Sequence, residues 1–163
     1  MNEIERLADQ LARAHDGDAW YGAPTRVVLR GITPEQAARR PISQAHNIWE
    51  IVLHLTSWQR EVLHRLRTGA CADPADGDWP TPPPPSDNAW RAALDGLEAA
   101  HRELLDAVRA FPPERLDDLL GEARDAPLGS GVSYYVLLHG IVQHNLAHTA
   151  QISLLKKGFA DGL

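Results

Sequence analysis

His144 and His148 stand four residues apart in the run Val142-Gln143-His144-Asn145-Leu146-Ala147-His148-Thr149-Ala150-Gln151-Ile152. On a helix the two imidazoles lie one above the other on a single face. Leu137, Ile141, Ile152 and Leu155 fall on the same side, so the pair is expected within a buried stripe. Imidazoles in the middle of an apolar face are costly without a partner. A divalent metal is one such partner, and H-x-x-x-H is a common helical spacing for it. The spacing alone equally allows two core histidines hydrogen-bonded to polar groups or water. A third nitrogen from a facing helix is best supplied by His54, at the edge of the apolar stripe Ile48, Ile51, Val52, Leu55, Trp58, Val62 and Leu66. Three protein ligands with one exchangeable position is the pattern of a catalytic zinc site. Three imidazoles suit zinc, nickel, copper or iron alike.

Neighbouring polar residues carry two readings each. Glu50, four before His54, is either a general base touching the site or a solvated helix-face carboxylate. Gln151 lies on the metal face, where it either hydrogen-bonds a ligand or substrate or bridges helices. His101 is a candidate fourth ligand or a core-edge histidine, and Trp58 is core packing or a pocket wall. His46 and His64 project further from the stripe. Asn145 occupies the position where zincin peptidases carry a general-base glutamate. An amide cannot take up the proton, so peptidase chemistry is disfavoured. A metal can instead activate water directly or hold a thiol as thiolate.

These residues need helices to place them. The first is expected over residues 2–15, with Ile4, Leu7, Leu11 and Ala14 at helical spacing. A shorter piece follows around residues 25–30. Thr33-Pro34-Glu35-Gln36 reads as a helix start with a capping box, stopped by Pro41. The second long helix is expected over 45–68, closed by Gly69. Six of the twelve prolines fall in residues 70–86, including Pro82–Pro85, which favours an extended crossover rather than a domain linker. The third long helix is expected from Ser86 or Asp87 to about Ala110, with Trp90, Leu94, Leu97, His101, Leu104 and Val108 on one face. Residues 121–131 read as loop, and the last helix runs from about Gly131 to Lys157. No strand-like alternation is evident. The fold class is therefore all-α, a four-helix bundle in a single domain over residues 1–163, with a long proline-rich crossover between the second and third long helices.

Composition narrows the setting. A net charge of −6 without a basic tract argues against nucleic acid or an anionic membrane as partner. No apolar run approaches a membrane span, and the first twenty residues carry charges throughout. The single Cys71 excludes an internal disulfide, fits a cytoplasmic location, and has no nearby base or cation in sequence to make it a nucleophile.

The segment His46-Asn47-Ile48-Trp49-Glu50-Ile51-Val52-Leu53-His54-Leu55, with Trp58 after it, resembles the second helix of the DinB-like (DinB/YfiT) family. His144-Asn145-Leu146-Ala147-His148-Thr149-Ala150-Gln151-Ile152 resembles the H-x-x-x-H-x-G-Q-I signature of that family's last helix, with Ala150 in place of glycine. Asp16-Gly17 and Trp20-Tyr21-Gly22 also resemble a segment of one branch of the family. The resemblance implies a metal-binding four-helix bundle, often a homodimer, with His54, His144 and His148 as ligands to a divalent ion, zinc or nickel foremost. It also implies a transferase joining a low-molecular-weight thiol such as bacillithiol or mycothiol to a small-molecule electrophile, a detoxification activity. The alternatives are a non-catalytic metal-binding protein of a stress response and a metal-dependent hydrolase.

Overall fold

A computed structural model describes residues 1–20 and 22–159; Tyr21 of the early family-like segment and residues 160–163 lie outside the described part. Four long helices build the body: α1 (Glu3–Asp16), α4 (Ile48–Thr68), α5 (Asp87–Arg109) and α6 (Tyr134–Lys157). Two short helices, α2 (Thr25–Leu29) and α3 (Pro34–Ala38), lie between α1 and α4. Helices α1 and α4 each pack against both α5 and α6, so the four close a ring around the core.

Local signals account for the helix ends. Asn2 with Glu5, Thr33 with Gln36, and Asn47 with Glu50 each form a capping box, satisfying amides that the first helical turn leaves free. Helix α4 stops at Gly69, whose φ of 72° is a left-handed conformation that glycine adopts without a Cβ penalty. Because α4 begins at Ile48, His46 lies outside the helix and its direction does not follow helical periodicity.

The expectation of a loop over residues 121–131, with no strands, is corrected. β1 (Leu119–Asp125) and β2 (Ser130–Ser133) pair antiparallel, Leu119 with Ser133, Leu120 with Val132 and Asp125 with Ser130. The pairing leaves a register irregularity between Leu120 and Asp125. Only Leu120 of β1 is buried, so the strand lacks the alternation by which half-buried strands are read. Gly131 is required there: its φ is +66°, and a Cβ would lie 2.5 Å from the Arg124 Cα.

The core divides into two apolar clusters. One gathers Leu7, Leu11, Val62, Leu104, Tyr134 and Ile141 with their neighbours. The other gathers Val28, Trp49, Ile51, Leu97, Ile152 and Leu155. Along α4, α5 and α6, buried Gln59, His101, Asn145 and Thr149 fall between the residues of the two clusters, and His15 of α1 stacks on His101. The buried stripe of α6 therefore passes through Asn145 and Thr149, while His144 and His148 stand half-buried at its border. The pair's expected place in the middle of the apolar face is corrected by one position of helical rotation.

The proline-rich crossover is strapped to α4. Ser57 Oγ donates to the Gly77 carbonyl at 2.5 Å, Trp58 Nε1 to Asp78 Oδ1 at 2.6 Å, and Arg60 pairs with Asp76 at 2.7 Å. Arg65, 1% exposed, donates to Glu61 at 2.8 Å, to the Ala72 carbonyl at 3.0 Å and to the Leu128 carbonyl at 2.9 Å. It thereby joins α4 to the crossover and to the hairpin turn. Removing one partner of a buried ion pair leaves the other charge uncompensated. Arg65→Leu is expected to lower unfolding free energy by about 3–5 kcal/mol, measured by chemical denaturation, with Arg65→Leu/Glu61→Leu recovering part of the loss.

Candidate metal centre

Helices α4 and α6 bring together the three histidines singled out from the sequence. His54, His144 and His148 each offer a ring nitrogen, and these atoms all lie within 4.8 Å of one another. Among the described residues no other group of three histidine, cysteine or acidic side chains is so arranged. His54 Nε2 is 2.9 Å from His144 Nε2, and the His148 ring meets both others edge-on at centroid distances of 4.6 Å.

The opposite nitrogens face oxygen acceptors. His54 Nδ1 donates to the Asp78 carbonyl at 2.6 Å, with Asp78 Oδ1 a further 3.2 Å contact. His148 Nδ1 donates to Gln151 Oε1 at 2.9 Å. His144 Nδ1 has a longer approach, 3.4 Å, to Asn145 Oδ1. A ring that donates through Nδ1 keeps its lone pair on Nε2. The anchored tautomers thus aim lone pairs of His54 and His148 inward.

Burial lowers all three basicities. His144 is pushed down to about 4, first by loss of solvent and then by the neighbouring His148 and His54. His54 and His148 are lowered by burial too, opposed by their bonds to Asp78 and Gln151 respectively. The triad is therefore neutral near pH 7, the state in which imidazole is a ligand.

Two tryptophans frame the triad. Trp79 of the crossover stacks on His54 at 3.8 Å and 8°, and Trp58 stands 6.4 Å from His54 and 6.2 Å from His144. On its other face Trp79 carries His46, stacked at 3.5 Å and 4°. Asp78, Trp79 and His46 were not among the sequence candidates. Asp78 and Trp79 sit in a segment without periodicity, and His46 belongs to the turn before α4. The one available signal was an Asp-Trp pair amid prolines, polar and aromatic residues that a bare spacer does not need.

The remaining candidates go elsewhere. Glu50 does not touch the triad; it accepts from the Asn47 amide at 2.9 Å, meets His46 Nδ1 at 3.2 Å and pairs with Arg40. Gln151 is in place as the partner of His148. His101 does not join the triad: it stacks on His15 at 3.8 Å and 10°. His64 is exposed beside Thr68, and Cys71 packs against the core.

The lowered value of His144 has a measurable consequence for the metal-free protein. Above pH 6.5 both folded and unfolded chains hold it neutral, so stability does not depend on its titration. As pH falls from 6.5 towards about 4 the unfolded chain takes up a proton that the folded chain refuses, and stability is lost. The expected slope from His144 is up to about 1.4 kcal/mol per pH unit. His144→Gln should flatten it in pH-dependent denaturation, and NMR titration should place the His144 midpoint well below 6.5.

The model of the DinB superfamily matches residues 22–152, about four-fifths of the chain, and takes in both histidine-bearing helices. Neither a curated protein nor a solved structure matches. A helical body with α4 and α6 presenting three histidines to one another agrees with that match. The chain belongs to the DinB superfamily.

Proposed function

We propose that His54, His144 and His148 hold a divalent transition-metal ion, zinc or nickel, and that the protein is a metal-dependent thiol S-transferase or related detoxification enzyme. The observation that carries the metal is the anchoring of the outer nitrogens of His54 by Asp78 and of His148 by Gln151. Such partners select the tautomer and orient the ring, as around histidine-bound metals generally. The spacing also fits. Nitrogens bound tetrahedrally at about 2.0–2.1 Å lie about 3.3 Å apart, and His54 and His144 are 2.9 Å apart before any adjustment of the rings.

A divalent ion there lowers the pKa of a thiol or water that takes its remaining position. The chain's own groups set the surroundings. Asp78 and Gln151 hold protons away from the inward nitrogens, and Trp58 and Trp79 limit solvent at the triad's flanks. Asn145 is buried in the α6 stripe, so no carboxylate stands where a peptidase places its base. A nucleophile that needs little help from a protein base, a low-molecular-weight thiol attacking a small electrophile, is favoured by that absence of a carboxylate. The reading also carries a cytoplasmic setting, supported by the free Cys71, and a homodimer, supported by the family resemblance. No described helix is long and apolar enough to cross a membrane.

Native purification with elemental analysis tests the metal. Stoichiometric zinc or nickel is expected, lost in His148→Ala and bound about 10–100-fold more weakly in Gln151→Ala. A fully folded, metal-free wild type that takes up no added ion would overturn the site. Turnover is tested separately by thiol-dependent consumption of monobromobimane. The metal-loaded protein should exceed its chelator-stripped control with at least one cellular thiol. Equal rates with every thiol would favour a metal-binding stress-response protein without turnover.

A further inference from the structure

Helix α6 turns to solvent a face unlike those of its neighbours. Between Tyr134 and Leu155 it has no aspartate, glutamate, lysine or arginine. The outward faces of the other long helices carry exposed charges, Arg6 on α1, Arg60 on α4 and Asp95 on α5 among them. The buried stripe of α6 includes Leu138, Ile141, Asn145 and Ile152. Directly opposite it run Val136, Gly140, Gln143, Ala147, Ala150 and Leu154, spaced four, three, four, three and four residues apart. That is a heptad seam, the pattern by which one helix takes another along its length. Val136 and Leu154, at its two ends, are 50% and 60% exposed. The outward face of a helix in a monomer is ordinarily polar.

The seam matches itself when reversed. Set antiparallel on a second copy, about a two-fold axis at the level of Asn145, Val136 meets the partner's Leu154, Gly140 meets the partner's Ala150, and Gln143 meets the partner's Ala147. Large residues then meet at the rims and small ones in the middle, so the helix axes can approach closely. The charges at the helix ends agree with that direction. Asp117 and Asp118 lie at the start of α6, where the Asp118 carbonyl accepts from the Tyr134 amide at 3.1 Å. Lys157, at the other end, is exposed and has no partner among the described residues. Reversal brings each lysine to the partner's aspartates, whereas a parallel pair would set lysine against lysine. Beside the seam stands Trp20, 99% exposed, which lines one cavity with Leu146, Ala147 and Ala150. In the reversed pair it falls level with the partner's Gly140, where a Cβ would meet nothing within 4 Å and an indole has room. Two faces about 27 Å long and about 10 Å wide, with two indoles of about 150–250 Å² each, cover about 1,000 Å², the size of a specific interface.

We propose that two copies of this chain pair antiparallel along the outward stripe of α6, Val136 to Leu154, with Trp20 of each copy lying on the other. That a pair exists rests on the homodimer of the preceding reading; its face, its direction and the tryptophan do not, and the pairing needs no metal. The contact is isologous and closes as a two-fold dimer. His144 and His148, on the side of α6 that meets His54 of α4, stay outside the seam.

Sedimentation equilibrium of the full chain, zinc-loaded and chelator-stripped, measures the pair. A mass twice the 18.0 kDa of one chain is expected in both states. Ala147→Glu sets like charges against each other at the seam and should weaken pairing about 100-fold. Trp20→Ala should weaken it about tenfold, and circular dichroism and zinc uptake should stay unchanged in both variants. Direction is read by cysteines in a Cys71→Ser background. On oxidation of a mixture, Gly140→Cys and Ala150→Cys chains should crosslink to each other in preference to themselves. Gly140→Cys chains crosslinked chiefly to themselves would overturn the antiparallel pair. A dimer indifferent to Ala147→Glu would overturn the seam and leave the homodimer reading standing, whereas a wild type that stays monomeric would overturn both. A monomer that co-purifies with a different protein, released by Ala147→Glu, would give the face to that partner and overturn self-pairing.

Discussion

Polar side chains buried between two apolar clusters set the terms for this bundle. Gln59, His101, Asn145 and Thr149 lie between a cluster centred on Leu11, Val62 and Ile141 and another centred on Trp49, Leu97 and Ile152, with His15 stacked on His101. Each must find a partner within the protein or be kept neutral. Thr149 donates to the Asn145 carbonyl at 2.8 Å and lies 2.7 Å from the Thr25 hydroxyl. Burial drives His101 down to about 3, and its ring is accommodated flat against His15. The same loss of solvent that keeps this layer uncharged keeps the triad at its edge uncharged, with nitrogen lone pairs available. Bundle stability and ligand chemistry thus draw on one cause.

The crossover between α4 and α5 converts a polar edge into a defined site. Residues 74–77 form a turn closed by the Gly77 amide on the Pro74 carbonyl at 2.8 Å, which leaves the carbonyls of Gly77 and Asp78 free to bond elsewhere. Here the Gly77 and Asp78 carbonyls accept from Ser57 and His54, and Asp78 and Asp76 bind Trp58 and Arg60. Trp79 follows directly and lies flat between His46 and His54. The stiffness of the segment lowers the entropy lost on placing it. A flexible linker of equal length would hold Asp78 less firmly, and with it the tautomer of His54.

Glu50 shows how a local signal and a tertiary role coincide. Its carboxylate completes the capping box that starts α4, and the same group holds His46 while Arg40 holds the carboxylate. Four residues before His54, it shares that histidine's face of α4, yet its carboxylate does not reach the triad. The capping geometry turns it back towards the helix N-terminus, one full turn away.

From the sequence alone, the periodicity of apolar residues determines four long helices, the Thr33–Gln36 capping box the start of a short one, and H-x-x-x-H which two imidazoles share a face. These are local properties, settled by 3.6-residue geometry and by backbone amides that need acceptors at a helix start. The proximity of His54 to that pair was legible because a bundle must face its apolar stripes towards one another. The β1–β2 hairpin was not legible, since one buried residue in seven leaves no alternation to read. Nor were Asp78, Trp79 and His46, which lie where the chain has no period. Their positions depend on carbonyls, an indole and a carboxylate meeting across segments distant in sequence. Only the tertiary structure decides such meetings, because nothing local to those residues prefers one direction over another.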